Sequence, residues 1–279
     1  MLKTQAKKAV IISIYLFIFA LIAWSFYSWI QSMYTPRESC SDGIRNQNEE
    51  DVDCGGVCKV DCVRVAKYQL EVVSSGFVES GLVNKYDIYG VVSNPNSDFG
   101  SKEFKYNFTV KDSQGSALAA KSGTSFILPG EKKYIVENNI ESSVPPASIE
   151  FIVSEPVWIE FLGYERPQLK IVNKSYNEIS SGTGFSEAIG LLKNDSPFDF
   201  NVIKIQVILK DSKDMVLALN STEMRTVKTG ENREFRAFWP TKFVGSVRNV
   251  DVQPEVNVFD SDAFAKRFFK VQKFQEYQD

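Results

Sequence analysis

The N-terminal part of the chain is one long apolar segment. No charged residue occurs from Ala9 to Ile30, and most of these 22 positions hold Ile, Leu, Phe, Val or Trp. An α-helix of this length is about 33 Å long, which is enough to cross a hydrocarbon core of ~30 Å. The large apolar side chains favour insertion and no charge opposes them. The pattern therefore predicts a transmembrane helix over residues 9–30.

The residues that flank this segment predict its orientation. Lys3, Lys7 and Lys8 precede it without an acidic residue, and such a basic flank normally stays in the cytoplasm. Tyrosines and tryptophans cluster at the opposite end, where amphipathic rings suit the membrane interface. We therefore expect a single-pass signal-anchor in the cell membrane, with residues 1–8 in the cytoplasm and the bulk of the chain outside it.

A cleaved signal peptide is the alternative interpretation of the same segment. Signal peptides have apolar cores of about 7–15 residues, followed by small residues at the cleavage site. Here the core is longer, and the stretch from Trp24 to Met33 carries bulky side chains where cleavage needs small ones. The sequence therefore favours an uncleaved anchor.

Beyond residue 66 the apolar residues recur at a period of two. The positions predicted to face a core are Phe104, Tyr106, Phe108 and Val110, then Ile203, Ile205, Val207 and Leu209. Such alternation is typical of antiparallel sheets that bury one face. We therefore expect the intervening residues, among them Lys204, Gln206, Ile208 and Lys210, to face mostly water. Clusters of Asn, Asp, Gly and Pro between such runs predict turns.

The same region repeats itself at offsets of 98 to 100 residues. The matched segments are QLEVV from Gln69 and QLKIV from Gln168, YGVVSN from Tyr89 and IGLLKN from Ile189, KDS from Lys111 and from Lys210, GE from Gly130 and from Gly230, and EPV from Glu155 and QPEV from Gln253. Several short strands within about 95 residues suit a β-sandwich. The sequence thus predicts an all-β protein with two tandem sandwiches, at 66–164 and 165–262, behind one transmembrane helix.

The motif order in each repeat is G-x-x-x-N, a long strand, K-D-S and then G-E. This order resembles small immunoglobulin-like domains of the late-embryogenesis-abundant type 2 and FxLYD kinds. The resemblance extends over both repeats but depends mostly on turn residues. It implies a binding or stabilising module and no catalytic residue.

All four cysteines lie in a predicted module at 31–65. They are Cys40, Cys54, Cys58 and Cys62. In an oxidising compartment, an even number of cysteines in a short segment rich in Gly, Asp and Asn predicts two disulfides, with three possible pairings. A zinc site is the alternative, but the spacing lacks the C-x2-C pairs that are typical of such sites.

The stretch from Cys40 to Cys58 is similar to a "C-x-DGIxNxxExxVDCGGxC" module of microbial surface and secreted proteins. The resemblance implies an extracellular, cysteine-linked spacer and no particular activity. Calcium is a second alternative for this module, because Asp42, Asp51 and Asp53 could supply oxygen ligands. Ile44, however, occupies a ligand position of the usual calcium loop, so the sequence favours a solvated polar turn.

Composition and motifs narrow the functional classes. The formal charge is −3 and there is no basic run, which is unlike a nucleic-acid-binding protein. Histidine is absent, and no G-x-S-x-G, S-x-x-K or phosphate-binding loop motif occurs. We therefore expect no enzymatic activity, no catalytic residue, no cofactor and no metal site.

These patterns leave three functional hypotheses. The first is a membrane-anchored extracytoplasmic protein with a binding, adhesion or structural role, whose partners are the lipid bilayer and a protein or surface polymer. The second is an accessory subunit of an envelope assembly such as a secretion or pilus complex, and the third is an extracytoplasmic hydrolase. The basic aromatic tail at 263–279 could dock on a partner or a membrane surface, but packing on the second sandwich is favoured.

Overall fold

The computed structural model describes residues 2–34, 40–46, 48–60, 62, 64–161 and 163–268. The chain divides into two compact units, Met1–Arg64 and Val65–Asp279. The first unit contains one long helix and the four cysteines, and the second contains every strand.

Helix α1 spans Leu2–Tyr34. Its stretch Ile11–Ser32 is long and apolar enough to cross a membrane, and no part of that stretch is buried in protein. Large apolar side chains such as Leu16, Phe19 and Trp24 are exposed, so this helix has no side that a protein core covers. The structure therefore agrees with the prediction of one N-terminal helix suited to a bilayer.

The second unit consists of two three-plus-three-stranded sandwiches with the same topology. The strands of the first are β1 Glu71–Glu79, β2 Lys85–Ser93, β3 Phe99–Lys111, β4 Ala117–Ile127, β5 Lys132–Glu141 and β6 Ser148–Glu160. The strands of the second are β7 Leu169–Glu178, β8 Ser186–Asn194, β9 Phe200–Lys210, β10 Val216–Val227, β11 Asn232–Trp239 and β12 Asn249–Glu255.

Sheet order repeats with the sequence. The first sandwich has sheets β1-β2-β5 and β4-β3-β6, and the second has β7-β8-β11 and β10-β9-β12, all antiparallel. The all-β class and the tandem sandwiches are thus confirmed. A 3₁₀ turn at Val258–Asp260 and helix α2, Asp262–Phe268, follow the last strand.

The alternating residues build the cores as predicted. Phe104, Phe108 and Val110 are buried in the first sandwich, while Lys105 and Asn107 of the same strand are exposed. In the second sandwich Ile203, Ile205, Val207 and Leu209 are all buried. The period of two therefore selects the core face of both long central strands, because successive side chains on a strand point to opposite faces.

The asparagine of each G-x-x-x-N motif ties two loops together. Asn94 Nδ2 donates to the carbonyls of Phe99 (2.7 Å) and Leu128 (3.0 Å). Asn194 Nδ2 donates in the same way to Phe198 (2.9 Å) and Lys228 (3.0 Å). Both asparagines are buried, and so are three of the four residues whose carbonyls they bond: Phe99, Leu128 and Phe198. These bonds therefore satisfy buried backbone groups that would otherwise lack a partner.

Replacing Asn194 by alanine should therefore lower the free energy of unfolding by about 1–3 kcal/mol, because the buried Phe198 carbonyl and the less buried Lys228 carbonyl lose their donor. Urea unfolding of the full chain in detergent, followed by tryptophan fluorescence, measures the loss. Asn201→Ala is the matched control, since Asn201 is exposed on β9. Equal stabilities of the two variants would show that the motif asparagine does not hold the loops.

The two sandwiches pack with sheet β1-β2-β5 against sheet β10-β9-β12. The Tyr134 amide donates to Gln253 Oε1 (3.0 Å), and Gln253 Nε2 donates to the Lys132 carbonyl (2.6 Å). Near the opposite ends of the strands, Thr241 Oγ1 donates to the Ser80 carbonyl (3.1 Å). The interface therefore runs along the strands rather than joining the sandwiches only at the linker.

This packing overturns one sequence prediction. The second face of β9 was expected to point mostly toward water, but Gln206 is 2% exposed, Ile208 1% and Lys210 7%. The first sandwich covers that face, so β9 is buried on both sides. The strand's own sequence does not show this, because the covered face keeps polar residues: Lys210 pairs with Asp251 and Asp214 of its own sandwich, and Gln206 Oε1 has no hydrogen-bond partner among the described residues.

Candidate functional site

The cysteine module is closed by two disulfides. Cys40 pairs with Cys58, and Cys54 pairs with Cys62. This arrangement selects one of the three pairings that the sequence left open. It also uses all four sulfur atoms, so it leaves no free thiol for the zinc alternative, which needs thiolates.

The acidic residues of the module shape its turns. The Asp53 carboxylate accepts hydrogen bonds from the amides of Asp42 (2.8 Å) and Gly43 (2.9 Å). Buried Glu49 accepts from the Asn46 amide (3.1 Å), and its other oxygen lies 3.1 Å from Cys58 Sγ. Both Asp53 oxygens and one Glu49 oxygen thus already have backbone donors, which is the role of a polar turn and which a calcium ion would have to displace.

Steric crowding explains one glycine of the Gly-Gly pair in the module. Gly56 has φ +57°, and a Cβ there would lie 1.9 Å from the Asn48 carbonyl oxygen. No other residue fits without moving that backbone. The glycine therefore belongs to the same cross-linked turn as the cysteines.

A buried ion pair joins the two sandwiches. Lys133 Nζ pairs with Glu255, donates to the Phe126 carbonyl (2.9 Å) and lies 3.9 Å from the centroid of the Phe126 ring. The lysine side chain is completely buried. Sequence reasoning missed this pair, although Lys133 stands two residues before core Ile135 and therefore on the same side of β5.

A second ion pair lies on the covered face of β9. Lys210 Nζ is 2.6 Å from Asp251 Oδ2 and 3.2 Å from Asp214 Oδ1. Burial alone would lower the pKa of Lys210, but its bonds to Asp251 and Asp214 outweigh burial and raise that pKa above its ordinary value. The ammonium group therefore stays charged throughout the pH range in which the protein would work.

An open cleft of about 430 Å³ lies between β7 and β12. Its lining includes Lys174, Tyr176, Arg248 and Asp251. Burial raises the pKa of the Tyr176 hydroxyl, so this group stays protonated near neutral pH and is a poor general base. The cleft therefore presents cations and a hydroxyl donor, and its Asp251 carboxylate already pairs with Lys210, so the arrangement suits binding better than proton transfer.

Exposed aliphatic side chains gather on the loops at one end of the sandwiches. We call this the tip end; it contains the loops 80–84, 142–147, 211–215 and 240–248. Its exposed residues, which we call the tip residues, are Leu82, Val83, Val144, Met215 and Val244. Sequence reasoning missed them too, since single aliphatic residues within turns give no periodic signal.

Comparisons with known proteins identify no family. No protein-family model matches the chain, and no curated protein does. Thirty-eight chains of solved structures match, among them calcium-binding domain CBD12 of CALX1.1, at 12% identity and a TM-score of 0.21, covering 70% of this chain and 84% of that one. Red sea bream transglutaminase matches at 11% identity and a TM-score of 0.22, covering 69% of this chain and 31% of that one. This match therefore spans about a third of the enzyme's length. Similarity this low carries no functional argument.

Proposed function

We propose that this chain is a single-pass membrane protein of the cell envelope, whose tandem immunoglobulin-like sandwiches bind or support a partner outside the cytoplasm. The observation that carries the proposal is the pairing of two features in one compact unit. An apolar helix with no buried side precedes a segment whose cysteines are all oxidised. The helix is suited to lipid, and disulfides persist in compartments outside the cytoplasm.

The second unit supports a binding or structural role rather than catalysis. Its two sandwiches are joined along their strands by hydrogen bonds and by the buried Lys133–Glu255 pair. Such a body presents its surfaces in a fixed arrangement. The chain has no histidine, and the carboxylate that lines the Tyr176 cleft, Asp251, is paired with Lys210.

Topology is tested with two epitope tags on the full chain in its own cells. We expect protease added to intact cells to remove a tag placed after Asp279 and to spare a tag placed before Met1. The full-length protein should stay in the membrane pellet after alkaline carbonate extraction. A protected C-terminal tag, or a mature protein that lacks the N-terminal tag, would contradict the proposed anchor.

The kind of partner is tested by cross-linking the protein in native membranes and identifying what is recovered. If the chain is recovered together with surface polymer, or with a single ligand, the result supports the binding role. Recovery of one defined set of envelope proteins in fixed proportion would instead assign the chain to an assembly as an accessory subunit.

A further inference from the structure

The two sandwiches meet through faces that are not equivalent. The first contributes the outward face of sheet β1-β2-β5, and the second contributes the outward face of β10-β9-β12, whose counterpart in the first is β4-β3-β6. Each kind of face is therefore covered once within the chain and left uncovered by the other sandwich once. We call the uncovered face of β4-β3-β6 the front face; its residues include Lys105, Asn107, Lys111, Glu150 and Ile152. We call the uncovered face of β7-β8-β11 the rear face; its residues include Val172, Ile189, Leu191, Glu234 and Phe238.

The rear face keeps apolar side chains at positions where a solvated sheet is normally polar. Buried and half-buried residues alternate along β8, and the half-buried outward ones include Ile189 and Leu191. On the neighbouring strands, Val172 lies opposite Leu191 in the register and Phe238 is 38% exposed. Antiparallel sheets that face water on one side place polar residues there, and the end units of stacked repeats do the same. The apolar group on the rear face therefore indicates a surface that something covers.

The first sandwich contains the same positions in covered form. Tyr89 and Val91 precede Ile189 and Leu191 by one repeat, and Val91 is only 2% exposed. Burial raises the pKa of the Tyr89 hydroxyl, Tyr134 adds to this rise and Lys210 of β9 opposes it, so Lys210 lies near that ring. Within the chain, a face of the β10-β9-β12 kind thus covers this pair of positions.

The front face carries the ion pair of that covering face. Lys210 and Asp251 are 2.6 Å apart on the second sandwich, and Lys111 and Glu150 are 2.8 Å apart on the first. The two lysines are the first residues of the repeated K-D-S motif. The front face therefore matches the covering face in its charged group as well as in its strands.

The strand register gives a second correspondence. Gln253 lies opposite Gln206 on the covering face, and Ile152 lies opposite Asn107 on the front face, four residues before the lysine in both cases. Gln253 is the residue that bonds to the first sandwich, through the Tyr134 amide. Its counterpart Ile152 is 52% exposed, so the front face has a free side chain at the position that makes this contact.

We propose that copies of this chain associate head to tail, with the rear face of one copy against the front face of the next, in the arrangement that joins the two sandwiches within the chain. Every residue used for this inference belongs to the second unit, so it goes beyond the proposed anchor and does not depend on it. A contact between two different faces leaves one of each kind free at the ends, and it therefore builds open stacks or closed rings.

Charge complementarity favours a second copy as the occupant. Tyr134 and Lys210 interact electrostatically across the interface within the chain. The residues at the same positions of the rear and front faces are Glu234 and Lys111, which carry opposite charges. Glu234 forms no ion pair with another described residue, so contact with the next copy would supply its cation.

Most other charges of the two faces are already paired within their own face. These pairs are Lys105 with Glu155, Lys111 with Glu150, Lys170 with Asp195, and Arg236 with Glu187. Lys193, opposite Lys170 near the end of β8, is half-buried and stays at the edge of the face. Association therefore need not bury an unpaired charge at its centre.

The size of the faces sets the strength of the contact. Three strands of about nine residues form a surface of about 15 Å by 30 Å, or about 450 Å² on each chain. Specific interfaces at the transient end bury less than about 1,200 Å² in total. We therefore expect the association to depend on chain concentration.

The test uses single cysteines on the two faces of the full chain in detergent. Chains with Ile152→Cys are mixed with chains with Asn232→Cys, because the counterparts of these residues, Gln253 and Lys132, are in contact within the chain. A short bifunctional maleimide, applied without reductant, leaves both native disulfides intact. We expect it to link one chain of each kind and neither kind to itself. A variant with both cysteines should form a ladder of dimers and larger species, because three sheet spacings of about 10 Å separate the two faces within one chain.

The control and the opposing outcomes follow from the same design. Val83→Cys mixed with Ile152→Cys reports random collisions, since Val83 is 87% exposed and lies on neither face. Equal linking in the test and control mixtures, or linking in neither, overturns the proposal. If Asn232→Cys chains link to themselves, the rear face makes a symmetric contact and the head-to-tail arrangement is wrong.

A charge exchange tests the arrangement of the faces without disturbing the core. Adding Glu234→Lys to the Asn232→Cys chain should lower the yield of linked chains by about tenfold, because it sets a like charge against Lys111. Lys111→Glu in the other chain should then restore the yield. Glu178→Lys is the matched control, since Glu178 is exposed at the end of β7 and outside the rear face. A yield that Glu234→Lys lowers no more than Glu178→Lys would refute the proposed contact.

Discussion

Replacing Lys133 by methionine is expected to lower the free energy of unfolding by about 3–5 kcal/mol. Methionine retains most of the apolar stem, so the main loss is the charge. Glu255, whose side chain is only 10% exposed, then keeps a buried carboxylate without its cation. The Phe126 carbonyl also loses a donor. A single unpaired buried charge is costly because neither water nor a neighbour compensates for it.

Urea unfolding of the full chain in detergent measures this loss, and an exposed ion pair supplies the matched control. Lys105 lies 2.6 Å from Glu155, but both side chains are more than half exposed, so Lys105→Met should cost at most about 1 kcal/mol. Removing both charges of the buried pair, with Lys133→Met and Glu255→Leu together, should cost less than Lys133→Met alone. Equal losses for Lys133→Met and Lys105→Met would show that the buried pair does not hold the sandwiches together.

Replacing Phe264 by alanine is expected to lower the free energy of unfolding by about 3–5 kcal/mol, because the core loses a buried aromatic ring. The Phe264 ring is fully buried and lies 5.1 Å from the ring of Phe198 and 6.3 Å from that of Phe161, measured between centroids. A seven-residue helix such as α2 is not stable alone in water, so its side-chain packing must hold it in place. Without this ring, α2 should detach.

Limited proteolysis of the full chain, together with urea unfolding, distinguishes detachment of α2 from a loss of stability of the whole fold. Phe264→Ala should expose the C-terminal segment to protease at enzyme concentrations that leave the native chain intact. Lys266→Ala is the control, because Lys266 is exposed on the same helix and its replacement should change stability by less than about 0.5 kcal/mol. Identical cleavage of both variants would mean that Phe264 does not anchor the helix.

The C-terminal helix also decides between the two interpretations of the tail. Phe264 and Phe268 are buried in the same core as Phe161 of the first sandwich and Phe198 of the second. Arg267 lies over the Phe198 ring, 5.9 Å from its centroid. Packing on the second sandwich is therefore confirmed for residues 262–268, while the rest of the predicted tail, 269–279, lies outside the described residues.

The sequence alone determined the features that depend on local pattern. An uncharged 22-residue run specifies a helix suited to lipid, because length and apolarity are properties of that segment alone. Alternation at Phe104–Val110 and Ile203–Leu209 specifies strands and their core faces, because the side-chain period of a strand is two. The repeated G-x-x-x-N and K-D-S motifs specify turns, and both copies fold into the same sheet order.

Only the tertiary structure decided which of these surfaces meet. The Cys40–Cys58 disulfide and the Lys133–Glu255 pair join residues that no local pattern connects. The burial of Gln206 and Lys210 likewise depends on the other sandwich, which covers that face of β9. A periodic pattern shows that a face is apolar or polar, but a buried charge is stable only where a distant partner compensates for its lost hydration, as Glu255 does for Lys133. That compensation is a property of the folded chain, and for this reason the local pattern could not reveal it.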